Sequence, residues 1–169
     1  MTADGVGAAD GTLTAGAGGL EVTVEQLRTM SGTPLGTSGW LHVDQPKVDR
    51  FADATEDHQW IHVDPEKAAQ GPFGRTIAHG YLMLSLVPRL LEDLLRVTDQ
   101  ERGANYGVDR ARFTSPVPVG SRVRMSGRLV EVRERPDRGL QYKVAIELQV
   151  EDQERPALVA ECIYLTYAA

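Results

Sequence analysis

The chain has one cysteine in 169 residues, Cys162, so no internal disulfide can form and a reducing compartment is expected. Cys162 lies inside an apolar, strand-like run, where it reads as a small buried hydrophobe rather than a nucleophile. An excess of positive charge is also missing. The net charge is -6 with a pI near 5.2, which argues against wholesale nucleic-acid binding. No apolar run approaches the ~20 residues that span a bilayer, and no basic segment leads into an apolar core as in a secretory leader. A cytoplasmic protein with no membrane partner is therefore expected. GxSxG is absent, against a serine hydrolase, and so is HExxH. GVGAADG misses the GxGxxG spacing by one residue and follows no strand, which removes a nucleotide loop.

What is present suits one ordinary globular domain, with 41% hydrophobic and 25% charged residues and no internal repeats. Residues 1–19 hold six Gly and five Ala with hardly any large apolar side chain, so a disordered tail is expected there, with the domain over 20–169. Trp40, Leu41 and Val43 suggest a short strand. Pro46 fits a first helical turn, and Val48, Phe51 and Ala52 at helical spacing continue it to about Ala54. Asp64-Pro65-Glu66 reads as the start of a brief helix that stops at Gly71-Pro72. From Gly80, GYLMLSLVPRLLEDLLRV is apolar on nearly every face of its first turns, which predicts one long buried helix kinked by Pro88.

The last third changes period. Leu140, Tyr142, Val144, Ile146, Leu148 and Val150 alternate with Gln141, Lys143, Glu147 and Gln149, the pattern of a half-buried antiparallel strand. Val123, Met125 and Leu129, then Val130 and Val132 in the other phase, predict a neighbouring strand with a bulge. Pro136–Gly139 turns between the two, and Tyr106–Phe113 and Leu158–Tyr167 supply further strands. A buried helix followed by four strands predicts an α+β fold, an antiparallel sheet around a central helix.

The chemistry concentrates between Asp57 and Leu82, which holds His58, His62, His79, Asp57, Asp64 and Glu66 beside a Gly/Pro-punctuated loop. Asp57 and His62 are five residues apart. A regular helix would set them ~140° apart, so they converge only if the segment is a turn or irregular loop. A carboxylate and an imidazole sharing a water can activate it near neutral pH, with Trp60 and Ile61 as an apolar lining. The plainer reading is that Asp57 caps the next turn and His62 is a packed core histidine. His79-Gly80 opens the buried helix, where unpaired N–H groups suit a developing oxyanion and Gly admits close approach of a carbonyl; Gly80 as mere close packing is the alternative. A metal held by His58, His62, Asp57 and His79 is disfavoured, since no Cys partner occurs and Asp57 and His58 cannot share a helical face. Arg110, Arg112, Arg122, Arg124 and Arg128 form a basic stripe, read as a solvated face or as a receiver of carrier phosphates.

DHQWIH, GPFGRTIAHG and NYGVDRARFTSPVPVGSRVR, in this order and from about Gly39 to the C-terminus, resemble the MaoC-like dehydratases. Nodulation-protein-N-like members and (R)-specific enoyl-CoA hydratases are the nearest in pattern. The resemblance implies a single hot-dog fold, a homodimer joined into one sheet, an acyl-CoA substrate, and no cofactor beyond the coenzyme A that the substrate carries. It further implies that Asp57 and His62 activate the water added to a trans-2-enoyl thioester, and that the Gly80 N–H polarises the thioester carbonyl, with His79 and Gln59 as further substrate-binding residues. The signature has Asn-Pro where this chain has Gln59-Trp60, a departure expected to alter pocket shape. Other readings are a dehydratase for acyl-carrier-protein substrates, a non-catalytic acyl-thioester-binding or partner subunit, and a hot-dog thioesterase. The last is disfavoured because the first acids after Gly80 are Glu92 and Asp93, about three turns along.

Overall fold

Alternation of apolar and polar residues builds the largest layer of the molecule, seen in a computed structural model that describes residues 19–168. The tail expected over residues 1–19 lies, apart from Gly19, outside the described residues. In chain order the elements are β1 (Leu20–Val22), α1 (Val24–Leu27), β2 (Pro34–Thr37), β3 (Leu41–His42), α2 (Gln45–Thr55), α3 (Trp60–Val63) and α4 (Pro65–Ala69). They continue with α5 (Gly80–Ser85), α6 (Val87–Leu91), β4 (Leu95–Val97), β5 (Gln100–Phe113), β6 (Arg122–Glu134), β7 (Leu140–Val150) and β8 (Leu158–Ala168). The main sheet runs β2-β6-β7-β8-β5 and is antiparallel throughout, with β3 also pairing β6.

The apolar sides of β6, β7 and β8 face a helical rod. Met125, Leu129, Val144, Leu148 and Leu158 pack against Leu82, Met83, Val87, Leu90 and Leu94, all buried. This is the expected hot-dog arrangement, and the predicted bulge is a register shift between Leu129 and Glu131. The Pro136–Gly139 turn joins β6 to β7, with Arg138 at φ 63.

The rod departs from one long helix. α5 and α6 meet at Leu86, and Pro88, which has no N–H to donate, stands just beyond. The helix ends at Leu91 rather than near Arg96. Leu95–Val97 instead pairs in parallel with Leu20–Val22, and the Leu20 N–H donates to the Leu94 carbonyl at 2.8 Å. A short apolar run fits a buried strand as well as a helix, and a partner some 75 residues away decides the matter here.

Candidate active site

Short pieces rather than long ones carry the polar groups. Asp44 caps α2 by accepting from the Lys47 N–H at 3.0 Å, and Asp64 caps α4 by accepting from the Lys67 N–H at 3.0 Å. Glu56, at φ 59, ends α2 in the left-handed region. The chain then turns through Asp57–Gln59 before α3 begins, so Asp57 lies in an irregular turn outside the helix that carries His62, and no single helix spans the two. Residues 76–78 return alongside. The Ile77 N–H donates to the Ile61 carbonyl at 2.9 Å and the Ala78 N–H to the Val117 carbonyl at 2.8 Å. Gln45 ties the pieces together: its amide donates to the His62 carbonyl and to Asp49, each at 2.7 Å, and its oxygen accepts from the Thr76 hydroxyl at 2.7 Å.

These constraints bring Asp57, His62 and His79 together, with one ligating atom of each within 4.8 Å of the others. His62 is 7% exposed and His79 is 3% exposed. Their rings stack with centroids 3.8 Å apart and planes 26° apart, and Phe51 lies against His79 at 5.0 Å. His62 Nδ1–H donates to the Ile77 carbonyl at 2.7 Å, which leaves Nε2 as a bare lone pair in the neutral ring. Burial pushes the His62 pKa below its ordinary value, assisted by His79 and opposed by the Ile77 carbonyl and Asp57. His79 Nε2–H donates to the Asp57 main-chain carbonyl at 2.9 Å and lies 4.0 Å from the Asp57 carboxylate. His79 Nδ1 is enclosed and has no hydrogen-bond partner among the described residues. Stacked imidazoles aim their lone pairs along nearly parallel planes, so to converge on one ion both rings would have to turn.

Gly80 starts α5 and is held bare by Phe113, whose ring would stand 2.8–3.0 Å from a Cβ at that position. Together with His62, Phe73, Ile77, Met83 and Val117 they line a cavity of about 340 Å³. Four residues considered for the site lie elsewhere. The Gln59 side chain is exposed and makes no capping bond. Trp60 packs onto Gly71 beneath the Lys67 ammonium, and Ile61 supplies only backbone bonds, so neither walls the cavity and the departure at Gln59-Trp60 does not shape it. His58 pairs with Asp53 at 2.9 Å on the surface. Sequence reasoning missed Phe113 and Val117, although both fall inside the RFTSPVPVG run. The Ile77 carbonyl and the Gln45 tie left no signal there, because main-chain and long-range bonds have none.

Other groups singled out in the sequence lie outside this cluster. Burial raises the Cys162 thiol pKa, as suits an inert core residue. Within the basic stripe, Arg122 pairs with Glu151, Arg124 lies over Trp40 at 4.6 Å, and Arg110 reaches Glu161 at 3.8 Å. Asp93 receives Arg89 and the Gly39 N–H. No helix among the described residues is long and apolar enough to cross a membrane.

Residues 26–151 match the family described as MaoC like domain. The chain is 48% identical over 141 residues to the 3-hydroxyacyl-thioester dehydratase Z of Mycobacterium tuberculosis (strain ATCC 25618 / H37Rv), covering 83% of this chain and 93% of that protein. It is 45% identical over 145 residues to Nodulation protein N of Rhizobium leguminosarum bv. viciae, covering 85% and 90%. Among solved structures, the (R)-hydratase from A. caviae involved in PHA biosynthesis aligns with a TM-score of 0.65. That alignment covers 79% of this chain and 94% of the other at 24% identity, a likeness of fold.

Proposed function

Because the chain belongs to the MaoC-like dehydratase family, and is by that membership a hydro-lyase, we propose that it is an (R)-specific enoyl-CoA hydratase. It adds water to trans-2-enoyl thioesters and, in reverse, dehydrates (3R)-hydroxyacyl thioesters. The observation that carries this reading is the neutral, buried His62 with its Nε2 bare, within reach of the Asp57 carboxylate at the edge of a cavity that Gly80 lines. Asp57 orients a water, and His62 Nε2 takes one of its protons. The hydroxyl bonds to C3 of the enoyl chain and the electron pair moves to the thioester oxygen, where the Gly80 N–H accommodates the charge. The proton on His62 then passes to C2, so the enzyme ends as it began. His79 holds the Asp57 loop to the head of the rod. No cofactor takes part beyond the coenzyme A on the substrate, and a cytoplasmic setting agrees with the lone buried thiol.

A homodimer belongs to the same reading. Among the described residues β5 pairs only with β8 and leaves its other edge open over fourteen residues, with Tyr106 and Val108 exposed. A long open edge of this kind calls for a partner strand, and a second copy of β5 extends the sheet. The test is a hydration assay against trans-2-enoyl-CoAs of increasing length, following loss of the conjugated absorbance and resolving the product's configuration. The (3R)-hydroxyacyl product is expected. An (S) product, or release of free coenzyme A without hydration, overturns the proposal.

A further inference from the structure

Two further cavities lie along the rod beyond the one beside the histidines. Gly80, Leu84 and Pro88 follow at i, i+4 and i+8 and therefore share one side of α5–α6. Phe113 covers Gly80. A second cavity of about 310 Å³ follows, between Leu84, Pro88, Val108 and Ile163. A third, of about 390 Å³, shares Pro88, Asn105 and Tyr164 with it and continues to Leu91 and Gln100. From Gly80 to Pro88 the rod itself rises about 12 Å, at ~1.5 Å per residue.

The walls change along the way. Beside Leu84 and Val108 they are mainly apolar, but the far chamber is lined by Tyr142 and Tyr164, both buried, their rings stacked 5.2 Å apart, with Asn105 beside them. Burial pushes the Tyr142 phenol up to about 12, and no hydrogen-bonding neighbour contributes to that shift. Tyr142 is itself one of the residues that line the chamber. A desolvated phenol without a partner is unfavourable, and phenylalanine would line a hydrocarbon channel better.

The geometry points to a far chamber that reads a hydrogen-bonding oxygen, a hydroxyl or keto group, on the acyl chain remote from the thioester. Tyr142, Tyr164 and Asn105 are its specificity determinants. This rests on the thioester reading above, and it narrows the substrate class to acyl chains with a polar distal group.

The test compares trans-2-decenoyl-CoA with its ω-hydroxy counterpart on the wild-type protein and on the Tyr142→Phe, Tyr164→Phe double variant. The wild type should favour the hydroxylated substrate in kcat/KM by roughly three- to tenfold, the range one hydrogen bond supplies, and the double variant should lose that preference. A second readout needs no turnover: the rise in Tm given by ω-hydroxydecanoate should exceed that given by decanoate in the wild type only. Equal treatment of both chains in both readouts overturns the inference. Preference in the thermal readout with no hydration of either thioester supports the chamber and sinks the thioester reading instead.

Discussion

The sheet and the polar cap over residues 44–80 are held together in different ways. In β6, β7 and β8 nearly every residue is fixed both by the ladder and by the strand's apolar face turned to the rod, so the structure is redundant. The cap has helices of four or five residues at α3 and α4, shorter than can persist alone in water. It is set by individual bonds: Gln45 to His62 and Thr76, His62 to Ile77, His79 to Asp57. The sheet therefore supplies stability and the cap supplies placement, and substitutions should separate the two.

The largest effect on stability belongs to the sheet. Leu148→Ala, at a fully buried position on β7, should lower the unfolding free energy by about 2–5 kcal/mol, read by denaturant titration. Remaining folded protein should turn over at the normal rate. Gln45→Ala should do the reverse. Loss of its bonds costs about 1–3 kcal/mol, but kcat/KM should fall further than that stability change suggests, because the His62 carbonyl and Thr76 lose their shared tie. An unchanged kcat/KM would mean that the cap holds its geometry without it.

A smaller effect is a pH dependence. His62 is held neutral by burial, so its pKa in the folded protein lies below the ordinary value of 6.5. The unfolded chain then binds the proton more readily, and folding stability is fully present above the unfolded value and falls as pH drops through it towards the folded one. Asp57 and His79 are the titratable groups facing this ring. Exposed His58, whose pKa is raised by the bond to Asp53, acts in the opposite sense. Tm measured between pH 7.5 and 5 (a window around the ~6.5 of free histidine) should decline, and His62→Gln should flatten the slope. A slope unchanged in His62→Gln would place the titrating group elsewhere.

The same contrast explains what could be read in the sequence. GLQYKVAIELQV announces its strand because a period of two admits one sheet face, and the phase change at Leu129–Val130 announces the bulge. The Asp57–His62 convergence was legible as a condition, a turn or irregular loop, and the turn through Asp57–Gln59 ahead of α3 meets it. The end of the rod was not legible, since the Leu94-Leu95 run carries no helix or strand signature until Leu20 pairs with it. Nor could the lining be read: Trp60 lies next to Ile61 in sequence but turns to Gly71, while Phe113, distant in sequence, closes over Gly80.

The central claim is that Asp57 and His62 act as one acid/base unit on a bound water. Turnover of a trans-2-enoyl-CoA by Asp57→Asn, His62→Gln and the double variant tests it most directly, with Tm recorded for each. The expected result is a loss of about 10²–10⁴ in each single variant, little further loss in the double, and a folded protein throughout. Near-wild-type turnover in both single variants would contradict the account.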